Sequence, residues 1–454
     1  MSNRIGAHTT TVTGKWMIAR EALLGTLSEA ARRATRQQRS ILASFTYSIE
    51  WDEPVHVFTG ARLAGLGECF YWERPVEHYA LVGAGAAATI ETHGSACCTG
   101  AASAWRTLLN DAVVTNTDPA ASVPCAGPLL FGGFTFDPLS PRTQLWADFP
   151  DGLLILPQIL LSYHANHLAL TVNRMMRVSD DIEQCAREIE TSVGQLRAAL
   201  ERAPTIPQEV AYSELSVHEP QPASEWLEMV ARMVDKIRLG AFEKIVLARE
   251  IQAELHNSSD AFAISTILQR LRESYPTAYV FAVQRGERFF MGATPERLVQ
   301  AQDGQVRTMA LAGSARRGET GEEDASIGME LLKSEKNNSE HAIVVAMVRE
   351  ALKNHCTHVQ VSGAPQLLKL KNVQHLETPI TGELVPGRCI LDVLADLHPT
   401  PAVGGFPRDA ALAAIRSAEK LDRGWYAGPL GWIGPGGHGE FAVALRSGLI
   451  DGTK

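Results

Sequence analysis

The sequence lacks a long basic run, an apolar stretch long enough to span a bilayer, and any cysteine spacing typical of a zinc site. Its longest apolar run, Leu153 to Leu161, is interrupted by Pro157 and Gln158, and its N-terminus shows no basic-then-apolar signal pattern. The seven cysteines (Cys69, Cys97, Cys98, Cys125, Cys185, Cys356, Cys389) are scattered and odd in number, so no disulfide framework is suggested. Reduced thiols in a soluble, cytoplasmic protein are therefore expected. A net charge of -9 argues against a nucleic-acid partner and leaves room only for local anion sites. The glycine cluster from Gly434 to Gly439 lacks the Lys-Ser/Thr pair and following helix that a phosphate loop needs, and reads as a hairpin turn. His164 and His167 have no metal partners at fixed spacing and receive no role.

What the chain does have is bulk. Its 454 residues, 45% hydrophobic and 20% charged, suffice for one large domain or two fused ones. In the N-terminal half, short strands are expected at Val55–Thr59, Tyr79–Gly83 and Leu153–Leu156, with a close-packed sheet strand between Gly127 and Phe134. A helix follows from Asp180 to Arg202. The stretch from Ala203 to Pro222 has no apolar periodicity and marks a boundary between residues 1–222 and 223–454. Beyond it, Ser224 is placed to cap a helix that Gly240 stops, and Lys244–Arg249 reads as a buried strand. A helix near Ala261–Ser274 and a hairpin of Ala278–Val283 with Arg288–Met291 come next.

Chemistry concentrates between Leu311 and His341. Ala312-Gly313-Ser314-Ala315 has almost no side-chain bulk, so a turn in which Gly313 takes a positive φ lets backbone amides approach a ligand. Arg316 and Arg317 suit an anion, or else are solvated or ion-paired. From Asp324 to Asn354 one long helix is expected, its apolar stripe broken by the polar run from Lys333 to His341. Such a run is either a solvated face or the wall of a wet cleft with carboxylates for an oxygen-preferring cation such as Mg2+. Two residues stand out upstream. Lys244 shares a strand face with Val246 and Ala248, so its ammonium either snorkels to the rim or lies in a functional cavity, where desolvation would make it a usable base. Glu296, just past a strand in Thr294-Pro295-Glu296, is placed either as a proton donor or as the first turn of a helix.

Taken in order, KIVLAR, GATPERL, LAGSARRG, SEKNNSEH, HLETPITG, HPTPAVGGFP, GPLGW and GEFAVALR resemble the chorismate-utilising enzymes, and within them the isochorismate synthases. The match runs from about Ser224 to Arg446. It implies an α+β fold, a single large unit of two facing antiparallel-rich sheets with helices outside, in which 1–222 is the variable part and 223–454 the chorismate-binding part. It also implies a Mg2+-dependent, reversible conversion of chorismate to isochorismate. Carried onto this chain, Lys244 activates water and Glu296 protonates the departing hydroxyl. Glu340 falls at a magnesium-ligand position, Arg446 at a substrate-carboxylate clamp, and Gly313 and Ser314 at the turn facing the ring carboxylate. His375, Ala402 and Tyr426 match pocket positions, Tyr426 standing where a phenylalanine can occur.

The anthranilate and aminodeoxychorismate synthases typically carry Thr where Ser314 stands, and the anthranilate enzymes lack a base at the Lys244 position; both take ammonia from a glutaminase partner. Salicylate synthases keep the lysine but tend to have the threonine. Lys244 with Ser314 thus implies water as nucleophile, isochorismate as product, no glutaminase subunit and a monomer. Menaquinone supply is the first expectation for the pathway, a siderophore the second. Family members continue past the Arg446 strand into a segment with a second carboxylate for Mg2+ and a lysine for the substrate. Because this sequence ends at Lys454, two readings stand: an incomplete record of a working isochorismate synthase, or a non-catalytic chorismate-family protein.

Overall fold

The computed structural model describes residues 16, 18–50, 53–117, 125–165, 167–204, 215–255 and 261–453. Two sheets dominate it. One has nine strands, in the order Ser447–Asp451, Arg288–Thr294, Tyr279–Arg285, Cys69–Arg74, Tyr79–Ala84, Ile159–His164, His167–Met176, Ile41–Ser48 and Val113–Asn116. Only the last pair is parallel. The other runs Cys356–Val361, Val373–Leu384, Gln305–Arg316, Arg297–Gln302, Gly439–Val443, Pro429–Ile433, Leu130–Phe134, Gly152–Leu156 and Ala88–Thr92, with Gln366–Lys369 also pairing onto Val373–Leu384. Both sheets take strands from either side of the 203–222 stretch, of which residues 205–214 lie outside the described residues.

Strand periodicity explains the layering. Along Cys69–Arg74, Phe70 and Trp72 point between the sheets, whereas Cys69 and Tyr71 face outer helices, as alternation of side chains requires. The inter-sheet layer is aromatic: Phe70 stacks on Phe131 with ring centroids 4.2 Å apart, and Trp72, Tyr279, Phe281, Trp425 and Trp432 fill the space around them. Helices Arg20–Gln37, Pro54–Leu63, Ile182–Arg202 and Ile264–Ser274 cover the nine-stranded sheet, and Cys97–Leu109, Glu335–Lys353 and Ile390–Leu397 cover the other. Among the described residues no helix is long and apolar enough to cross a membrane.

Several local expectations change. Val55–Thr59 lies in the helix Pro54–Leu63, not in a strand. Pro54 opens it at the first helical position, and burial on every side gives the continuous apolar run that looks like a strand. The helix expected over Asp324–Asn354 is two, Gly321–Lys333 and Glu335–Lys353, which meet at Ser334; its hydroxyl accepts from the Asn337 amide at 3.3 Å and caps the second. Pro222, not Ser224, occupies the N-cap position of Ala223–Arg238, which has no side-chain cap bond. Of Lys244–Arg249 only Lys244 and Ile245 enter a ladder, antiparallel to Gly405–Phe406, and both are half-buried.

Glycines set the spacing of the ten-stranded sheet. A Cβ on Gly132 would lie 1.9 Å from the Leu153 carbonyl oxygen, so the two strands approach as closely as they do only because the side chain is absent. Gly132→Ala is accordingly expected to cost about 3 kcal/mol through forced backbone displacement. Thermal or denaturant unfolding checks it, and an unchanged midpoint would show that the strands open there freely.

Candidate active site

The long strands Gln305–Arg316 and Val373–Leu384 pair over almost their whole length and slip register once, between Ala312 and Ser314. Gly313 is the extra residue, with φ +78°, so the small-residue stretch is a bulge inside a strand and not a turn between elements. The positive φ foreseen for Gly313 is present. The bulge sets Ser314 opposite His375, and the Ser314 Oγ lies 2.7 Å from His375 Nδ1. His375 is held below its ordinary pKa by burial, and the Arg446 guanidinium nearby adds to this.

Glu296 sits between Arg288–Thr294 and Arg297–Gln302, and opens no helix. Thr294 Oγ donates to the Val443 carbonyl at 2.5 Å, and the Val443 amide donates to the Glu296 carbonyl at 3.0 Å, which fixes the Thr-Pro-Glu corner against the neighbouring strand. The residue is 8% exposed. Burial pushes its carboxyl up to about 7 against the opposing pull of Lys244. Lys244 moves the other way: burial lowers its pKa, more than Glu340 and Glu296 together raise it. Each group of this pair is thus driven toward its neutral form despite an opposite charge nearby.

Glu340, on helix Glu335–Lys353, is half-buried and within electrostatic range of Lys244. The next residue, His341, is buried, places its Nε2 2.7 Å from Thr378 Oγ, and so pins the helix to the Val373–Leu384 strand. Its pKa is lowered by burial. Neither His341 nor Thr378 was singled out from sequence; the signal available was adjacency to Glu340 and to the HLETPITG block. Ala402 lies in a tight turn in which the Val403 and Gly404 amides donate to the Thr400 carbonyl at 3.1 and 2.9 Å. Tyr426 is half-buried, its pKa raised by burial. Arg446 is exposed, has φ +48°, and stands where the chain crosses from one sheet to the other.

Lys244, Glu296 and Glu340 therefore gather into one electrostatic cluster, and Ser314, His375 and Arg446 into another beside the bulge. The Arg316–Arg317 pair does not join them. Arg316 pairs with Glu323 at 2.5 Å, and Arg317 with Asp324 at 2.6 Å, an aspartate that also takes Lys369 at 2.7 Å. Those hydrogen bonds, Arg317's first, hold the Asp324 carboxyl well below the usual range. The two guanidiniums are committed to the fold.

The donor set suits a singly anchored hard cation. Among the described residues Glu340 has no hydrogen-bond or ion-pair partner, leaving its oxygens available, yet no group of three or more His, Cys, Asp or Glu gathers to cage a metal. An ion here would take one protein carboxylate and complete its shell from ligand and water oxygens.

A lysine whose pKa burial lowers, in electrostatic range of Glu340 and of a buried carboxyl raised to about 7, is a pairing suited to general acid–base chemistry. The chain belongs to the chorismate binding enzyme family, whose sequence profile matches residues 28–454. Isochorismate synthase MenF of Bacillus subtilis is 35% identical over 93% of this chain and 88% of that protein. The salicylate biosynthesis isochorismate synthase of Pseudomonas aeruginosa is 37% identical over 94% of this chain and 86% of that protein. Among solved structures, the menaquinone-specific isochorismate synthase MenF of Escherichia coli superposes with a TM-score of 0.73 at 22% identity, covering 94% of this chain and 92% of that one. That last likeness establishes the fold, α+β with two large antiparallel-rich sheets.

The burial of Glu296 has a consequence for stability. Its carboxyl titrates near 7 in the folded chain and at the ordinary 4.5 when unfolded. Below the lower value both states are protonated and nothing is lost; as pH rises, the unfolded state ionises first and stability falls. Above pH 7 the cost levels off at about 3 kcal/mol. Glu296→Gln is expected to be more stable than the parent chain at about pH 8 and equal to it near about pH 4. Urea unfolding at both pH values checks this; a gap independent of pH would mean that Glu296 does not titrate in this range.

Proposed function

We propose that this chain is an isochorismate synthase, interconverting chorismate and isochorismate, with Lys244 as general base and Glu296 as general acid. One observation carries the reading: burial holds Glu296 protonated up to about pH 7 while lowering the pKa of the lysine beside it. These are the protonation states the reaction needs. Neutral Lys244 takes a proton from water as its oxygen bonds to one ring carbon. The ring double bonds shift, the carbon–oxygen bond at another ring carbon breaks, and Glu296 supplies the proton with which that hydroxyl departs as water. The chain is left with a lysine cation and a glutamate anion, the pair that the reverse reaction requires, so one arrangement serves both directions. General acid–base assistance of this kind is worth roughly 10²–10⁴-fold for each group.

Mg2+, when bound, would hold and polarise a substrate carboxylate, with Glu340 as its protein ligand. Arg446 clamps a substrate carboxylate, the Gly313–Ser314 bulge faces the ring carboxylate with His375 fixing the Ser314 hydroxyl, and Ala402 and Tyr426 shape the pocket. In this reading residues 223–454 carry the chemistry and 1–222 complete the sheets behind it. Water as nucleophile requires no ammonia and hence no glutaminase subunit, and the enzyme acts as a cytoplasmic monomer, in keeping with its seven free, buried cysteines. The product feeds menaquinone or siderophore synthesis.

A Mg2+-dependent assay with chorismate, the products separated by chromatography, tests this. The parent chain is expected to form isochorismate, and Lys244→Ala to lose about 10³-fold in kcat. Salicylate or anthranilate as the product would overturn the assignment. The dependence of kcat/KM on pH is expected to be bell-shaped, with one of its two breaks near pH 7 from Glu296; a flat profile between about pH 5 and 9 would remove the acid–base pair from the mechanism.

A further inference from the structure

The segment that carries Lys244 has little regular structure of its own. Its ladder with Gly405–Phe406 is two residues long, flanked by bonds from the Glu243 amide to the Phe406 carbonyl at 2.8 Å and from the Val246 amide to the Gly404 carbonyl at 2.9 Å, and beyond Val246 the chain leaves the strand. A buried ion pair holds it as well. Glu419, the C-terminal cap of helix Arg408–Ala418, accepts from Arg423 through both oxygens, Nε to Oε2 at 2.8 Å and Nη2 to Oε1 at 2.5 Å. Their side chains are 5% and 2% exposed, so neither reaches the cleft. The remaining capacity of the pair goes to backbone. Arg423 Nη2 donates to the Val246 carbonyl at 2.9 Å, Nη1 donates to the Val403 carbonyl at 3.2 Å, and Glu419 Oε1 accepts from the Ala248 amide at 2.7 Å. The Phe136 ring closes one face of the guanidinium, 4.2 Å from its carbon, and the Arg423 carbonyl accepts from the Tyr426 amide at 2.8 Å.

Two segments that bear candidate site residues, those of Lys244 and Ala402, thus meet on one guanidinium–carboxylate fork, and the Arg423 main chain ties in the turn that carries Tyr426. A buried ion pair of this kind contributes little net stability, because desolvation offsets its attraction. Its planar donors do fix geometry: Arg423 uses three separate nitrogens, two of them as a fork on the carboxylate, and the single ammonium nitrogen of a lysine cannot reproduce that fork and reach both carbonyls. We propose that Arg423 and Glu419 are positioning residues for the reaction, setting the path of the Lys244 segment relative to the Ala402 turn without touching substrate. This rests on the isochorismate synthase reading above.

A misplaced base slows the chemical step while substrate binding persists, so the loss falls on kcat and not on KM. Arg423→Lys is expected to lower kcat about 100-fold and Glu419→Gln about 10-fold, each with KM within about threefold of the parent chain. Glu419→Gln keeps an acceptor for the Ala248 amide and is the variant to rely on if Arg423→Lys does not fold. A comparison variant, Glu73→Gln, loosens a partly buried pair, in which Arg272 Nε donates to the buried Glu73 Oε1 at 2.8 Å; it should lower the melting temperature but leave kcat within about twofold. Folded Glu419→Gln with the parent kcat, or a raised KM with kcat unchanged, would overturn the proposal. So would loss of folding in both variants, since the pair would then hold the fold and not the base. A parent chain that forms no isochorismate overturns the functional reading itself, and with it this proposal; an active parent with unaffected variants overturns the proposal alone.

Discussion

The site depends on a contest between desolvation and attraction at Lys244 and Glu296. Left to Coulomb's law at an effective dielectric near 20, a lysine and a carboxylate in contact gain roughly 4 kcal/mol as an ion pair. The rise of Glu296 from 4.5 to about 7, about 3 kcal/mol, is what remains after the attraction of Lys244 has been subtracted. Desolvation therefore outweighs attraction at both groups, and that depends on how far each is buried. A base and an acid joined in a salt bridge would have neither a lone pair nor a proton to offer. Enclosure is what the surrounding fold provides, with a two-sheet core behind Glu296 and a helix and loop packed around Lys244.

The means of enclosure differ for the two residues. Glu296 is carried between two strands on a corner bonded at both ends to Val443, in a region as regular as any in the chain. Lys244 is carried on a short ladder whose partner, Gly405, has φ +148° and leaves no room for a side chain: a Cβ there would lie 2.3 Å from the Lys244 carbonyl oxygen. The HPTPAVGGFP loop therefore comes against the base-bearing backbone because it presents glycine at that point. The Gly313 bulge does comparable work for Ser314, turning its hydroxyl toward His375.

How much of this was legible beforehand varies with the range of the interaction. The helix Ile182–Arg202, the Tyr279–Thr294 hairpin and the positive φ of Gly313 follow from local pattern and were read as such. The two-sheet fold and the roles expected of Lys244 and Glu296 came from ordered motifs, since periodicity alone left Lys244 between rim and cavity and Glu296 between proton donor and helix start. Arg316 and Arg317 looked available for an anion because their partners, Glu323 and Asp324, come into reach only once Gly321–Lys333 has folded back on them. Val55–Thr59 was misread because an apolar run buried on all sides has no period to measure. The bond from Arg423 to Val246 spans 177 positions and carries no local signal at all.

That long-range bond also bears on how Lys244 is held by its backbone. Among the described residues neither the Lys244 ammonium nor the Glu296 carboxyl has a hydrogen bond to protein, so the full donor and acceptor capacity of both is left for what enters the cleft. A side chain that accepted from the lysine nitrogen would orient it, but would compete with a ligand for it and would stabilise the charged form. Orientation has to come from elsewhere. Bonds to the carbonyl of Val246 and the amide of Ala248 constrain where the side chain begins and leave its end free. The same logic holds for Glu296, whose main chain is bonded while its carboxyl is only enclosed. The pKa shifts of the pair and the placement of its main chain are thus supplied by different parts of the molecule, burial for the first and backbone hydrogen bonding for the second.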